Sequence, residues 1–414
     1  MTSVLADAAE TARKPDHLAA LRPEALAVPE SGIVELFNHG RGRQGLIPLW
    51  VGEGDLGSPA AVIAAAQKSL ADGETFYTHQ RGIPDLRAAI AHYMTLHYGG
   101  PFVGSARPFE PERFFVTIGG MHALQLAVRL TCGVGDEAIV PSPAWPNFDG
   151  VLLAAGARPV TTPLIFDESG AAPAWRLDLD ALAAAITPAT RAMIVNSPAN
   201  PTGWIASHDD LRGLLDIARR HGLWIIADEI YGRFFYEGGR APSFHDVMDE
   251  ADRVLFVQTF SKNWAMTGLR MGWLEAPPAL GQVIENLIQV SSTGVATPIQ
   301  RAGIAALTEG ETFFAMQARR ARANRDVLAA ALAATGRARF QIPRGTFYLF
   351  CAVDGATDTR ALAYRLLDEA GVGVAPGTAF GPGGEKFMRL CFARDSAELA
   401  EAGARLARWL TQNT

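Results

Sequence analysis

The chain has 414 residues, 49% of them hydrophobic and 19% charged, and a formal net charge of −6. Such a composition buries a sizeable core, excludes a disordered chain, and at this length suggests one large domain with a smaller one. The acidic balance gives no reason to expect nucleic acid or an anionic membrane as a partner.

The first thirty or so residues are alanine-rich and broken by Pro15, Pro23 and Pro29, which predicts an arm with a short helix. The start, MTSVLADAAETARK, has no basic opening followed by an apolar core, so no signal peptide is expected. From residue 110 to about 275, short apolar runs alternate with amphipathic stretches. RFFVTI (113–118), EAIVP (137–141), AMIVN (192–196), LWIIAD (223–228), VLFVQT (254–259) and MGWLEA (271–276) are predicted strands. MHALQLAVRL (121–130), DLDALAAAI (178–186) and DLRGLLDIARR (210–220) are predicted helices. Alternation of the two predicts an α/β fold, and runs apolar throughout predict a mainly parallel sheet covered on both faces. After about residue 300 come a long helical stretch from Thr312 to Ala334, strand-like TFYLFCAV and EKFMRLCFA, and helices over 359–370 and 396–411. These predict a second, α+β domain. Cys132, Cys351 and Cys391 lack C-x-x-C spacing and sit in apolar settings, so buried free thiols in a reducing compartment are expected. No apolar stretch is long enough to span a bilayer, and a soluble, cytoplasmic protein is expected.

Five motifs fall at predicted strand ends, where open α/β sheets bind their ligands. Gly119-Gly120-Met121 joins a strand to a helix. Small residues there let the backbone approach a ligand, and free N–H groups at a helix start attract an anion; a Gly-Gly turn is also ordinary punctuation. In PSPAWPNF (141–148), Trp145 is placed to stack on a flat aromatic ligand, or is a domain-edge tryptophan. Asn200-Pro201-Thr202-Gly203 reads as a turn that also offers an amide at the sheet edge. Asp228 closes the apolar run LWIIA, where a carboxylate is costly without a cation or donors. A protonated pyridine nitrogen is such a cation, and Asp228 would keep it protonated, making the ring an electron sink; a helix N-cap is the alternative. Tyr231 is three residues on, in reach of a phenolic oxygen of that ring, and Glu229 is open to a structural role. Lys262, in TFSKNWAMTGLRMGW, follows a buried strand and is flanked by hydroxyls, a setting in which burial and a nearby cation free the amine for a Schiff base. Arg270, with Thr259 and Ser261, suits phosphate.

Taken in order, GGMHAL, PSPAWPN, NSPANPTG, ADEIYGRF, TFSKNWAMTGLRMGW, PRGTFYLF and FMRLCFA resemble the class I/II aminotransferases, the aspartate-aminotransferase-like enzymes of fold type I, over roughly residues 33 to 410. The resemblance implies the cofactor pyridoxal 5'-phosphate (PLP), no metal, and the PLP-dependent transferase fold. In that fold a large domain has a mainly parallel, seven-stranded-type sheet covered by helices, beside a smaller α+β domain. The arm and part of the small domain would occupy 1–55, the large PLP-binding domain 56–300 and the small C-terminal domain 301–414. Lys262 resembles the Schiff-base lysine that also shuttles the proton, Asp228 the partner of the pyridine nitrogen, Tyr231 and Asn200 the contacts to the ring oxygen, and Trp145 the stacking aromatic. The turn at Gly119, the N–H groups of Gly120 and Met121, and the side chains of Thr259, Ser261 and Arg270 would hold the phosphate. Tyr77, in FYTHQRGIPDLR, resembles a tyrosine that reaches the phosphate of the neighbouring subunit, which implies a homodimer with shared active sites. Arg389 would grip the substrate α-carboxylate near Asn200, and Gly52, in LWVGEGD, would line the substrate side. Gly54 stands where many relatives have proline, which leaves specificity open.

The implied reaction moves an amino group from an L-amino acid to a 2-oxo acid by a ping-pong route, with aspartate as the family-default donor. A PLP-dependent carbon–sulfur β-lyase on the same site is the alternative. A decarboxylase fits less well, because Arg389 would hold the carboxylate in place. A PLP-sensing regulator fits poorly, because no helix-turn-helix pattern or basic patch precedes the match. For a second donor carboxylate the candidate cations are Arg41, Arg43, His79 and Arg81; Trp50, Trp264, Phe347 and Tyr348 point equally to an aromatic or aliphatic donor.

Overall fold

The computed structural model describes residues 17–413; Pro15 and the rest of the predicted arm before His17 lie outside the described residues. The described chain opens with α1 (Pro23–Leu26), α2 (Gly32–Gly40), β1 (Ile47–Pro48), α3 (Ala60–Ala71) and α4 (Pro84–Tyr98). Next come β2 (Phe114–Thr117), α5 (Gly119–Thr131), β3 (Glu137–Ser142), α6 (Asn147–Ala154), β4 (Arg158–Asp167), β5 (Ala174–Leu177), α7 (Leu179–Ala184) and β6 (Thr190–Asn196). They are followed by α8 (His208–His221), β7 (Trp224–Asp228), β8 (Val254–Thr259), β9 (Gly272–Glu275), α9 (Gly281–Ser291) and α10 (Thr297–Glu309). The last part holds α11 (Glu311–Ala333), β10 (Ala338–Phe340), β11 (Tyr348–Val353), α12 (Thr359–Arg365), β12 (Val372–Gly373), β13 (Ala375–Pro376), β14 (Phe387–Cys391) and α13 (Ser396–Gln412).

The fold is α/β, with one large sheet in the order β2-β9-β8-β7-β6-β3-β4-β5. Neighbours from β8 through β7, β6 and β3 to β4 pair parallel, while β9 runs antiparallel to both β2 and β8. Successive residues within a strand face opposite ways, and both directions are buried here. Ile139, Met193, Ile225 and Phe256 pack into one core, and Val140, Ile194, Ile226 and Leu255 into another. The helices that cover the faces carry their own boundary signals. Ser207 and Asp210 cap α8 reciprocally, its last turn is basic, and Gly222 ends it in the left-handed region at φ 67°.

The expected seven-stranded sheet is extended by one strand. Residues 158–163 of β4 pair with β3, and the overhang Leu164–Asp167 pairs with β5 as a hairpin. Neither strand is legible in the sequence as an apolar run, because β4 lies beyond the buried centre of the sheet, is half-exposed along its length and contains Pro159 and Pro163.

The C-terminal part has its own antiparallel sheet, β10-β11-β14-β13, and β12 pairs parallel with β1, tying residues 47–48 to this part. Helix α10 packs against α3 and α4, whereas α11 packs against α13. On this packing we propose that the two units divide near Gly310. The three cysteines are buried free thiols. Among the described residues no helix is long and apolar enough to cross a membrane.

One buried ionic cluster pins the β2–β9–β8 corner. Arg113 Nε donates to Glu275 Oε1 at 3.0 Å, and His245 Nε2 lies 3.3 Å from Glu275 Oε2. The His245 ring stacks on Phe256 at 3.9 Å. Removing one member of such a group strands a buried charge. Glu275→Ala is therefore expected to lower stability by about 3–5 kcal/mol, read as a fall in the denaturant midpoint; an unchanged midpoint would show that the cluster contributes nothing.

Candidate active site

The carboxyl ends of β3, β6, β7 and β8, with the α5 start that follows β2, converge on a cavity of about 520 Å³, the size of a small-molecule site. It gathers Gly52, Gly120, Met121, Trp145, Asn200 and Asp228, together with Tyr231, Thr259, Ser261, Lys262, Arg270 and Arg389. Gly119 stands one residue behind this wall. Tyr77 is 91% exposed and is not brought to the cavity of its own chain.

Lys262 follows β8, and its Nζ donates to the Gly52 carbonyl oxygen at 2.8 Å. Burial pulls its ammonium down to about 8, and the positive charges of Arg389 and Arg270 act in the same direction. Asp228 ends β7 at 2% exposure. Burial pushes its carboxyl up to about 7, against the Ile230 N–H, which donates to Oδ1 at 3.3 Å, and the charge of Lys262. Desolvation outweighs both stabilising groups. The neighbouring Glu229 is spoken for by structure: Ser243 Oγ donates to it at 2.7 Å and the Phe244 N–H at 3.1 Å.

At the start of α5, Gly119 has φ 72°, and a Cβ there would come within 2.6 Å of Arg270 Nη2. The guanidinium thus stands against the helix start because residue 119 has no side chain. Thr259 Oγ1 donates to Ser261 Oγ at 2.9 Å beside it. Helix N–H groups, two hydroxyls and a guanidinium make an anion cradle.

Arg389 reaches the cavity from β14 and is 2% exposed. Its Nη1 donates to Asn200 Oδ1 at 2.9 Å and its Nη2 to the Trp50 carbonyl oxygen, while Nε has no protein partner. The rings of Tyr348 and Phe380 flank it, with centroids 4.5 and 4.9 Å from the guanidinium carbon. At this burial Arg389 is not part of a surface salt bridge. Tyr231, also 2% exposed, shares a 2.8 Å hydrogen bond with the Tyr348 hydroxyl, and burial raises its phenol above the ordinary range. A Cβ on Gly52 would come 2.4 Å from that Tyr348 hydroxyl, which accounts for glycine at 52.

A match to the aminotransferase class I and II family covers residues 44–406. The chain belongs to this family. Its relatives include an aromatic-amino-acid aminotransferase of Thermococcus litoralis, 31% identical over 93% of this chain and 97% of that one. An aspartate/prephenate aminotransferase of Thermus thermophilus is 34% identical over 94% of this chain and 97% of its own. Among solved structures, the aspartate aminotransferase of Thermotoga maritima superposes with a TM-score of 0.85 at 29% identity, over 95% of this chain and all of that one.

Aminotransferases of this family use PLP, and the donor set fits that group. The anion cradle suits its phosphate, the under-partnered Asp228 suits its ring nitrogen, and Lys262 offers an amine close to neutrality. Among the described residues no cluster of His, Cys, Asp or Glu is arranged to hold a metal.

Sequence reasoning missed, among other lining residues, the contribution of α2. Ile33, Val34 and Phe37 of α2 line the cavity. Their signal was available: in GIVELFNHG apolar residues crowd a nine-residue helix, and burying Leu36 alone leaves Val34 and Phe37 49% and 39% exposed. Of the aromatic candidates, Trp50 and Tyr348 line the cavity, Phe347 packs behind it against Tyr231 and Tyr348, and Trp264 lies in a separate core.

The Lys262 amine must be neutral to capture an aldehyde, and the neutral fraction rises with pH through its lowered value. The rate of PLP capture by cofactor-free protein is therefore expected to climb with a midpoint near pH 8. A midpoint at the ordinary 10.5 would contradict the burial argument.

Proposed function

We propose that the protein transfers an amino group from an L-amino acid to a 2-oxo acid, with PLP held through Lys262, by a ping-pong route. The observation that carries this reading is the meeting of Lys262, Asp228, Tyr231, Asn200 and Arg389 in one cavity. PLP, when bound, supplies an electron sink that makes the substrate Cα proton acidic. Asp228 holds the proton on the ring nitrogen; buried and with one backbone donor, its carboxylate is stabilised by that positive charge. Tyr231 and Asn200 orient the ring oxygen, and Trp145 packs on the ring face. Arg389, fixed by Asn200 and the Trp50 carbonyl, takes the substrate carboxylate and so sets which Cα bond faces Lys262. Lys262 Nζ then takes the Cα proton as a neutral base and returns it. One site serves donor and acceptor in turn, hence the ping-pong kinetics.

A homodimer with shared sites is part of the same proposal. Phe76 and Tyr77, 85% and 91% exposed, form an aromatic pair that a second copy would cover.

The test is the half-reaction. Single amino acids added without any oxo acid are expected to convert the cofactor to its amine form, seen by absorption, and to release the matching oxo acid. Lys262→Ala is expected to reduce this rate by at least about 10²–10⁴-fold. Full turnover by that variant would overturn the assignment, and release of pyruvate and ammonia from a sulfur amino acid in place of the half-reaction would make the protein a β-lyase.

A further inference from the structure

The charged residues lining the cavity are Lys262, Arg270 and Arg389, with Glu53 and Asp228 as the acids. On the reading above, on which this inference rests, the three cations are committed to the amine, the phosphate and the donor α-carboxylate. Within one chain nothing positive is left in the cavity for a second carboxylate, and Glu53 stands there as a like charge. The cations considered from sequence do not fill the gap. Arg43 is tied to Asp368 and His39, and Arg81 to Glu285. Arg41 lies over the Phe37 ring, 5.2 Å from its centroid, but is exposed and outside the cavity wall of its own chain.

What stands next to the carboxylate grip is apolar. Trp50, whose carbonyl holds Arg389, packs its indole edge-on to Phe37 at 6.1 Å. The indole is locked in place, because a Cβ at Gly40 or Gly373 would come within 2.3 or 2.2 Å of it. Beside Phe37, α2 turns Ile33 and Val34 to the same cavity. Val34 and Phe37 thus leave apolar surface uncovered inside a cavity, and a substrate side chain is what can cover it.

We infer that the amino donor carries an apolar side chain, aromatic or long aliphatic, and that Phe37, Val34 and Ile33 form its subsite, with the buried Trp50 indole backing Phe37. The default expectation of an aspartate-class donor gives way to this. A gripped apolar side chain gains by leaving water against Phe37 and Val34, whereas a second carboxylate loses its hydration without a cation of the same chain in return. Phe37 acts as a specificity residue and takes no part in the proton transfer.

The test separates the subsite from the chemistry. Calorimetry on the PLP-loaded protein compares 3-phenylpropionate with succinate, neither of which has an amino group to react, and the half-reaction compares phenylalanine, leucine and methionine with aspartate and glutamate. The apolar member of each comparison is expected to be favoured by about tenfold or more. Phe37→Ala is expected to weaken 3-phenylpropionate, and Phe37→Arg to tighten succinate, with little change in 3-phenylpropionate binding for Phe37→Leu. If 3-phenylpropionate binds better but no amino acid reacts, the subsite stands and the transfer reading falls. If succinate binds as well as 3-phenylpropionate, or aspartate reacts as fast as phenylalanine, the inference is overturned.

Discussion

Asp228 and Lys262 sit at the ends of adjacent parallel strands in a sheet buried on both faces, and the rest of the site follows from that constraint. Within β7, Ile225, Ile226 and Ala227 are fully buried, so the first place the strand can present a polar group is its end. The same holds for Asn196 on β6 and Thr259 on β8. Low dielectric at this edge acts oppositely on the two signs of charge: it holds the Asp228 carboxyl up and the Lys262 ammonium down. On the proposed reading, a cofactor that brings a protonated ring nitrogen and an aldehyde would satisfy both groups at once.

The C-terminal part of the chain also contributes to the site. Arg389 comes from β14, yet its guanidinium is held by Asn200 beyond β6 and by the Trp50 carbonyl near the start of the chain. Tyr348 on β11 bonds the Tyr231 hydroxyl and faces Arg389 with its ring. The grip on a carboxylate therefore exists only when three distant parts of the sequence are docked. The flanking rings of Tyr348 and Phe380 add cation–π contacts to a buried arginine that makes few hydrogen bonds.

Much of this was legible in the sequence wherever one residue type carries one physical demand. An acid directly after LWIIA, a lysine after VLFVQTFS and glycines before an apolar helix each mark their place at the sheet edge. The strand runs were readable for the same reason: both faces are covered, so they are apolar without a break. Where burial is partial the signal fades. The edge strand β4 carries prolines and half-exposed positions, and α2 looks like a short surface helix until its packing over the cavity is seen. Contacts set by docking, such as Tyr348 with Tyr231 across 117 positions, leave no local trace at all.

The most direct measurement follows from the scarcity of lysine. The chain has four, Lys14, Lys68, Lys262 and Lys386; Lys68 and Lys386 are exposed, Lys68 is paired with Asp72, and neither lines the cavity. Reduction of the PLP-loaded protein with borohydride, followed by digestion and mass spectrometry, locates the trapped cofactor. The expected result is a single pyridoxyl group on the peptide bearing Lys262. A label on another lysine, or a protein that retains PLP with no label at all, would contradict the assignment on which the whole site is built.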